Sequence, residues 1–210
     1  MSRLPAFTRI RFAPLAIAAA VGSVALLGLS TTGTLSAFTA TITNSANSAA
    51  SGTLVMQEQN SGATATCTST DGGTVSTNAS TCTSINKFGG STTMVPGATA
   101  VATTVTIKNT GTVAANTFTL TPGASCTQTG NVTGSATDFC SKMNLTITQN
   151  GAALFSGTLA SFAGSTAKSL TTLAAGSTST FVFSVQLDTS AANTYQGLTA
   201  AMPMTWTFNS

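Results

Sequence analysis

The stretch Phe-Val-Phe-Ser-Val-Gln-Leu-Asp, residues 181–188, alternates inward apolar side chains with a more polar set at a period of two. A period of two places alternate side chains on opposite faces of a β-strand, and aromatic and β-branched residues fit the pleated surface of a sheet. The stretch therefore predicts a half-buried strand whose inner face carries four apolar residues: Phe181, Phe183, Val185 and Leu187.

The same alternation recurs along the chain, separated by turn signals. Residues 143–147 and 152–158 flank Asn150-Gly151, a dipeptide typical of a two-residue β-hairpin. Further strands are predicted around residues 101–107, 118–120 and 202–208. No segment holds a helical period over ten residues. Short strands at this spacing predict an all-β, antiparallel β-sandwich of about eight to ten strands.

Two features refine the strand assignment within a domain that we expect to span residues 49–210. Pro203 lies inside the last alternating run, and proline cannot donate to a β-ladder, so this strand should lie at a sheet edge or begin near Pro203. The first core strand is expected to begin near Ser51. Residues 59–92 are rich in Ser, Thr, Gly and Asn, and we interpret them as a loop insertion.

The first 37 residues have the three-part plan of a secretory signal peptide. Three arginines precede an apolar stretch over residues 13–29, and small polar residues follow. A retained membrane helix is the alternative, but the apolar stretch is short of the ~20 residues that a span requires. We expect cleavage after Ala37, with Ser36 or Ala40 as the alternative positions, and export of the remaining chain.

The charge pattern excludes several classes of function. The chain has 7 Lys+Arg, 4 Asp+Glu and no His. Without histidine there is no Ser–His–Asp triad, Cys–His dyad or imidazole metal site, and a serine hydrolase would need an unusual lysine base. The few dispersed basic residues do not form a nucleic-acid footprint. We therefore expect no enzyme, cofactor, metal or nucleic-acid partner.

The near-zero net charge of the chain without its leader favours self-association. All three arginines lie within the leader, so residues 38–210 carry as many lysines as acidic residues. A surface close to neutral lacks the usual electrostatic protection against association. A soluble domain coated with Thr and Ser is the alternative that composition leaves open.

The exported part contains four cysteines, which allow three disulfide connectivities. We favour the local pairs Cys67–Cys82 and Cys126–Cys140, because each pair flanks a loop rich in Gly, Ser, Thr or Asn. Closing a loop of this size stabilises a fold by about 3 kcal/mol in the chain-entropy model. A metal site is disfavoured because the spacing includes no C-x-x-C.

Residues 38–48 form a short alternating strand and a connector directly after the proposed cleavage site. Phe38, Ala40 and Ile42 alternate with threonine, and small residues follow. Such a strand can fold back on its own sandwich, or it can complete the sheet edge of a neighbouring molecule by β-strand addition. In the second case each subunit donates and accepts, which gives an open head-to-tail filament. The residues alone leave both outcomes open.

Five short motifs follow one another along the chain: GTLSAF at 33–38, ASGTLVM at 50–56, VPG at 95–97, IKNTGT at 107–112 and NTYQG at 193–197. Their order resembles that of the TasA/camelysin family of secreted bacterial biofilm-matrix proteins. The resemblance implies a jelly-roll β-sandwich, a leader removed by a dedicated signal peptidase, and a location at the cell surface or in the biofilm matrix.

The resemblance also implies a function. In fibre-forming relatives the mature N-terminal strand inserts into the next subunit, so Phe38, Ala40 and Ile42 become the predicted donor residues. The expected partners are another copy of the chain, the signal peptidase during export, and an accessory or anchoring matrix protein. The protease activity ascribed to some camelysins is not carried over, since the chain has no histidine. A monomeric secreted adhesin or surface-binding module is the alternative.

Overall fold

The computed structural model of the chain describes residues 40–130 and 134–210. The predicted leader, its cleavage site at Ala37 and the donor residue Phe38 lie outside the described residues. The chain divides into two units at residue 49, and each is described by itself. Of the first unit, residues 40–49 are described; they are exposed and contain no helix or strand. The strand expected there is not formed in residues 40–42.

The second unit is built mainly of short strands. In the part of the chain that the structure describes there are eleven: β1 Met56–Asn60, β2 Thr66–Thr68, β3 Val101–Asn109, β4 Thr117–Pro122, β5 Thr127–Thr129, β6 Met143–Gln149, β7 Ala152–Thr158, β8 Lys168–Ser169, β9 Thr178–Leu187, β10 Thr199–Ala201 and β11 Met204–Asn209. Two single-turn α-helices, α1 Phe139–Lys142 and α2 Leu159–Phe162, and two 3-10 turns, Ser61–Ala63 and Asn193–Tyr195, connect them.

The strands form three antiparallel sheets. The largest has the order β2-β1-β3-β9-β6-β7, a second has the order β11-β4-β8, and a small third pairs β10 with β5. Strand β3 pairs with β9 in the large sheet, whereas the next strand along the chain, β4, pairs with β11 in the second sheet. The chain therefore crosses between sheets, as expected for a sandwich rather than a simple meander.

The core lies between the large sheet and the β11-β4-β8 sheet. On β9, Phe181 and Phe183 are 0% exposed. The ring of Phe181 lies 5.8 Å from Phe118 of β4 and 4.6 Å from Trp206 of β11, measured between ring centroids. These contacts join the inner faces of the two sheets, so the predicted antiparallel β-sandwich is confirmed, as is the alternation that predicted β9.

The predicted hairpin is confirmed in its strands and its turn. Strands β6 and β7 pair directly on either side of Asn150-Gly151, with one irregularity after Ile147. Asn150 has a φ of 50° and Gly151 a φ of 84°. Positive φ at both central residues is the type I′ geometry that fits the twist of a hairpin, and Asn-Gly is the dipeptide that adopts it most readily.

Both predicted disulfides are confirmed. Cys67 pairs with Cys82 at a Cα–Cα distance of 5.7 Å, and Cys126 pairs with Cys140 at 6.1 Å. The two bridges close loops with sequence separations of 15 and 14 residues. Paired cysteines of this kind indicate an oxidising environment.

The ends of the sandwich depart from the expected strand limits. The first core strand begins at Met56 rather than near Ser51, although Thr112 N already donates to Thr53 O at 2.8 Å. The last strand begins at Met204, directly after Pro203, and lies at a sheet edge as predicted. The structure has more strands than the eight to ten expected, because four of them contain only two or three residues.

Candidate functional site

A groove of about 820 Å³ lies beside the last strand of the second unit. One wall comes from β1 and β2 at one end of the large sheet, and the other comes from residues 202–208, which include most of β11. Residues 78–88, here called the covering segment, supply most of the remaining lining. The groove thus lies beside β11, the strand at one edge of the β11-β4-β8 sheet.

The outer edge of β11 presents main-chain groups that residues 40–130 and 134–210 leave unpaired. In an antiparallel pair, successive residues direct their N–H and C=O groups alternately toward the partner strand and away from it. Gly123 N donates to Pro203 O at 2.8 Å, so the odd-numbered residues of this strand face β4. The main-chain groups of Met204, Trp206 and Phe208 therefore face outward, and no other described residue bonds to them.

The covering segment is attached to the β1–β2 wall. Asn78 Nδ2 donates to the carbonyl of Leu54 at 2.5 Å, and Ser80 Oγ donates to the carbonyl of Thr68 at 2.7 Å. The Cys67–Cys82 disulfide adds a covalent link from β2 to the middle of the segment. These bonds go to β2 and to Leu54, just before β1, and no described residue of the segment pairs with β11.

A largely buried ion pair lines the groove. Lys87 Nζ of the covering segment lies 2.6 Å from Glu58 Oε1 of β1, and the two side chains are 12% and 8% exposed. The same ammonium lies 5.8 Å from the centroid of the Trp206 ring, within the range of a cation–π contact. One lysine therefore neutralises the acidic side chain of one wall and covers the aromatic side chain of the other.

Trp206 anchors the β11 wall but leaves a donor unused. Its ring packs at 4.6 Å from Phe181 and 6.2 Å from Phe183, measured between centroids, so the partly buried residue packs against the core. Its indole N–H is buried and has no acceptor among the described residues. An unpaired buried donor costs about 1–3 kcal/mol, which makes this wall a place where a further acceptor would be favourable.

The predicted donor residues are placed only in part. Ala40 and Ile42 are described and exposed, and the Ile42 side chain is 99% exposed. Of the predicted disulfides, Cys67 and Cys82 line the groove, whereas Cys126 and Cys140 do not. Sequence reasoning missed Glu58 and Lys87. One available signal was that Glu58 continues the period-two face of Leu54 and Met56, which places a charge on an inward face.

Two polar clusters lie outside the groove. Asp188 accepts from Ser190 Oγ at 2.5 Å, from Ser190 N at 2.9 Å and from Asn144 Nδ2 at 3.3 Å. Mainly because of the Ser190 hydroxyl bond, the pKa of Asp188 falls to about 2. Tyr195 donates to Asp138 at 2.7 Å, which raises the pKa of Tyr195, and its partly buried ring packs against the core.

The described residues supply no further chemical site. They contain no group of three or more acidic or cysteine side chains that could hold a metal ion. Among their helices, none has the length and apolar character needed to cross a bilayer. Comparison with known proteins gives no family that matches the chain and no curated protein that matches it. The groove and the free edge of β11 are therefore the features from which a function is inferred.

Proposed function

We propose that this chain is a structural subunit of an extracellular fibre at a cell surface or in a biofilm matrix. In this proposal the leader is removed during export by a signal peptidase, and residues 38–48, here called the arm, insert into the next subunit. The subunits then polymerise head to tail, with self as the main partner and an accessory or anchoring matrix protein as a further one. Catalysis and cofactors have no part in this function.

The observation that carries the proposal is the outer edge of β11, which lies beside the groove and pairs with no strand in the described part of the chain. An exposed row of N–H and C=O groups is a template for strand addition, and soluble proteins usually protect such edges with charge, bulges or a covering element. The residues of β11, Met-Thr-Trp-Thr-Phe-Asn, carry no charge. A strand added to this edge would gain main-chain hydrogen bonds, and its apolar side chains would be buried in the groove.

The arm has the properties that such an edge requires. Its apolar residues Phe38, Ala40 and Ile42 would share one face if the arm became extended on insertion, and Ile42 is 99% exposed. Burying one isoleucine side chain is worth about 1.5–3 kcal/mol. The exported chain also has equal numbers of lysines and acidic residues, so little charge repulsion opposes association.

Electron microscopy of the processed chain, residues 38–210, tests the proposal. The wild type is expected to form filaments, and deletion of the arm is expected to leave monomers that keep both disulfides. Ile42→Asp should abolish filaments because it places a charge on the apolar face of the arm. Thr43→Asp is the matched control, since it places the same charge on the opposite face and should reduce assembly far less.

Two results would overturn the proposal. One is polymerisation of the variant that lacks the arm, which would exclude donation by this segment. The other is a wild-type chain that stays monomeric at all concentrations while binding strongly to surface glycans, which would favour the adhesin alternative.

A further inference from the structure

The free edge of β11 and the arm have the same side-chain pattern. Phe38-Thr39-Ala40-Thr41-Ile42 and Met204-Thr205-Trp206-Thr207-Phe208 both alternate three apolar residues with two threonines. The two segments have equal length, so they can pair residue for residue without an overhang. The geometry points to one arrangement: the arm lies antiparallel along β11 of the next subunit, with Ala40 opposite Trp206. This inference rests on the proposed function and adds the acceptor strand, the direction and the register.

The alternation of main-chain hydrogen-bonding groups along β11 fits this register. The outward main-chain groups belong to Met204, Trp206 and Phe208. With Ala40 opposite Trp206, these residues face the apolar residues of the arm, and each opposed pair can exchange two hydrogen bonds. A shift of one residue would turn the apolar face of the arm toward solvent. Burial of that face therefore favours an alignment in which the apolar residues of the arm lie opposite Met204, Trp206 and Phe208. We infer the antiparallel direction because every strand pair among the described residues is antiparallel.

Side-chain size selects the register further. Directly opposed residues on neighbouring strands project from the same face, so Ala40 would share the inner face with Trp206. That position is already filled by the indole ring and by the Lys87 ammonium, 5.8 Å from the ring centroid. A small residue is therefore required there, whereas Phe38 and Ile42 would extend past the indole on either side. The threonines of both strands would face outward and form cross-strand pairs.

The other sheet edges fit the arm less well. Strand β7, at the far edge of the large sheet, reads Ala-Ala-Leu-Phe-Ser-Gly-Thr and has an irregular register beside it. Strands β2 and β8, at the remaining edges of these two sheets, contain three and two residues. Strand β11 alone among these four edges combines sufficient length, strict alternation and an adjoining groove.

Paired cysteine substitutions in residues 38–210 test the direction and register. In the proposed register Thr39 and Thr207 form a non-hydrogen-bonded pair, whose side chains approach closely enough for a disulfide. The variant Thr39→Cys with Thr207→Cys should therefore give a ladder of oligomers on a non-reducing gel of its filaments. The variant Thr41→Cys with Thr207→Cys, which would crosslink a parallel arm, should give no ladder. The native cysteines are all paired and do not compete.

A second measurement tests the size argument. Ala40→Leu should slow filament growth by about tenfold or more, since overpacking beside Trp206 opposes insertion. Ala46→Leu, in the connector, should leave the growth rate unchanged.

The outcomes separate this inference from the proposed function. Arm-dependent filaments without a ladder from the Thr39–Thr207 variant, or with a ladder from the Thr41–Thr207 variant, would overturn the register or direction while leaving the fibre function in place. A crosslink confined to monomers would show that the arm folds back on its own sandwich, and would overturn both.

Discussion

Lys87 Nζ lies 2.6 Å from Glu58 Oε1, and the two side chains are 12% and 8% exposed. Lys87 belongs to the covering segment and Glu58 to β1, so their contact holds the segment against one wall of the groove. Removing one member of a buried ion pair leaves an uncompensated charge, which typically costs about 3–5 kcal/mol. Lys87→Met should therefore lower the free energy of unfolding by about this amount, measured by urea denaturation.

The double variant Glu58→Gln with Lys87→Met provides the comparison. It removes both charges, so it should be clearly more stable than Lys87→Met alone. Lys108→Met is the matched control, because Lys108 forms no ion pair with the described residues. Equal losses in the single and double variants would contradict the prediction.

The two disulfides should contribute similar stability but have different local effects. Replacing either pair by serine should lower the free energy of unfolding by about 3 kcal/mol, since the closed loops are of nearly equal length. Only the loss of Cys67–Cys82 should increase amide exchange over residues 78–88, because that bridge links the covering segment to β2. Hydrogen-exchange mass spectrometry measures the difference. An equal increase in both variants would argue against local anchoring of the segment.

Asn109 should be among the polar residues most sensitive to substitution. Its side chain is 0% exposed and donates to Val113 O at 2.8 Å and Leu173 O at 3.2 Å, while accepting from Gly111 N at 3.0 Å. Asn109→Ala removes these bonds and leaves buried main-chain groups unsatisfied, which should cost about 2–4 kcal/mol in chemical denaturation. The exposed Asn116→Ala serves as control and should cost less than about 0.5 kcal/mol. A cost for Asn109→Ala as small as that of the control would refute the prediction.

The carboxylate of Asp188 should titrate well below its ordinary range. Hydrogen bonds from the Ser190 hydroxyl and amide, then from Asn144, lower its pKa from 3.8 to about 2. Because the pKa is lower in the folded chain, the associated stability is present above pH 3.8 and is lost as the pH falls toward 2. Ser190→Ala should raise the pKa, measured by carboxyl carbon NMR. Ser156→Ala should not alter it. A wild-type midpoint near 3.8 would count against this assignment.

The central strands and both disulfides could be predicted from the sequence because their signals are local. Alternation over residues 181–187 defined β9, and Asn150-Gly151 defined the hairpin turn. Pro203 indicated an edge strand because its missing N–H is a property of one residue. Strands such as β2 and β10, with three residues each, are too short to show a period and are fixed by tertiary packing.

The groove could not be predicted for a related reason. Glu58 and Lys87 lie on separate elements, and no spacing rule joins a strand residue to a loop residue 29 positions later (87 − 58). Their contact depends on the Cys67–Cys82 bridge and the hydrogen bond of Asn78, which hold the covering segment beside β1 and β2. The donor role of residues 38–48 stays a prediction, because it rests on the alternation of Phe38, Ala40 and Ile42 with threonine and residues 40–49 contain no strand in the structure.

The placement of the four lysines after the leader bears on proteolysis. Lys108 lies in β3, Lys142 ends α1, Lys168 lies in β8, and Lys87 is held by its ion pair. No arginine follows residue 11, so trypsin-type enzymes have few bonds to attack in residues 38–210. Cleavage at these bonds requires local unfolding, so the rate of cleavage depends on how often the chain around each lysine unfolds. We therefore expect trypsin-type proteases to cleave residues 38–210 slowly, because of where this chain keeps its few cations.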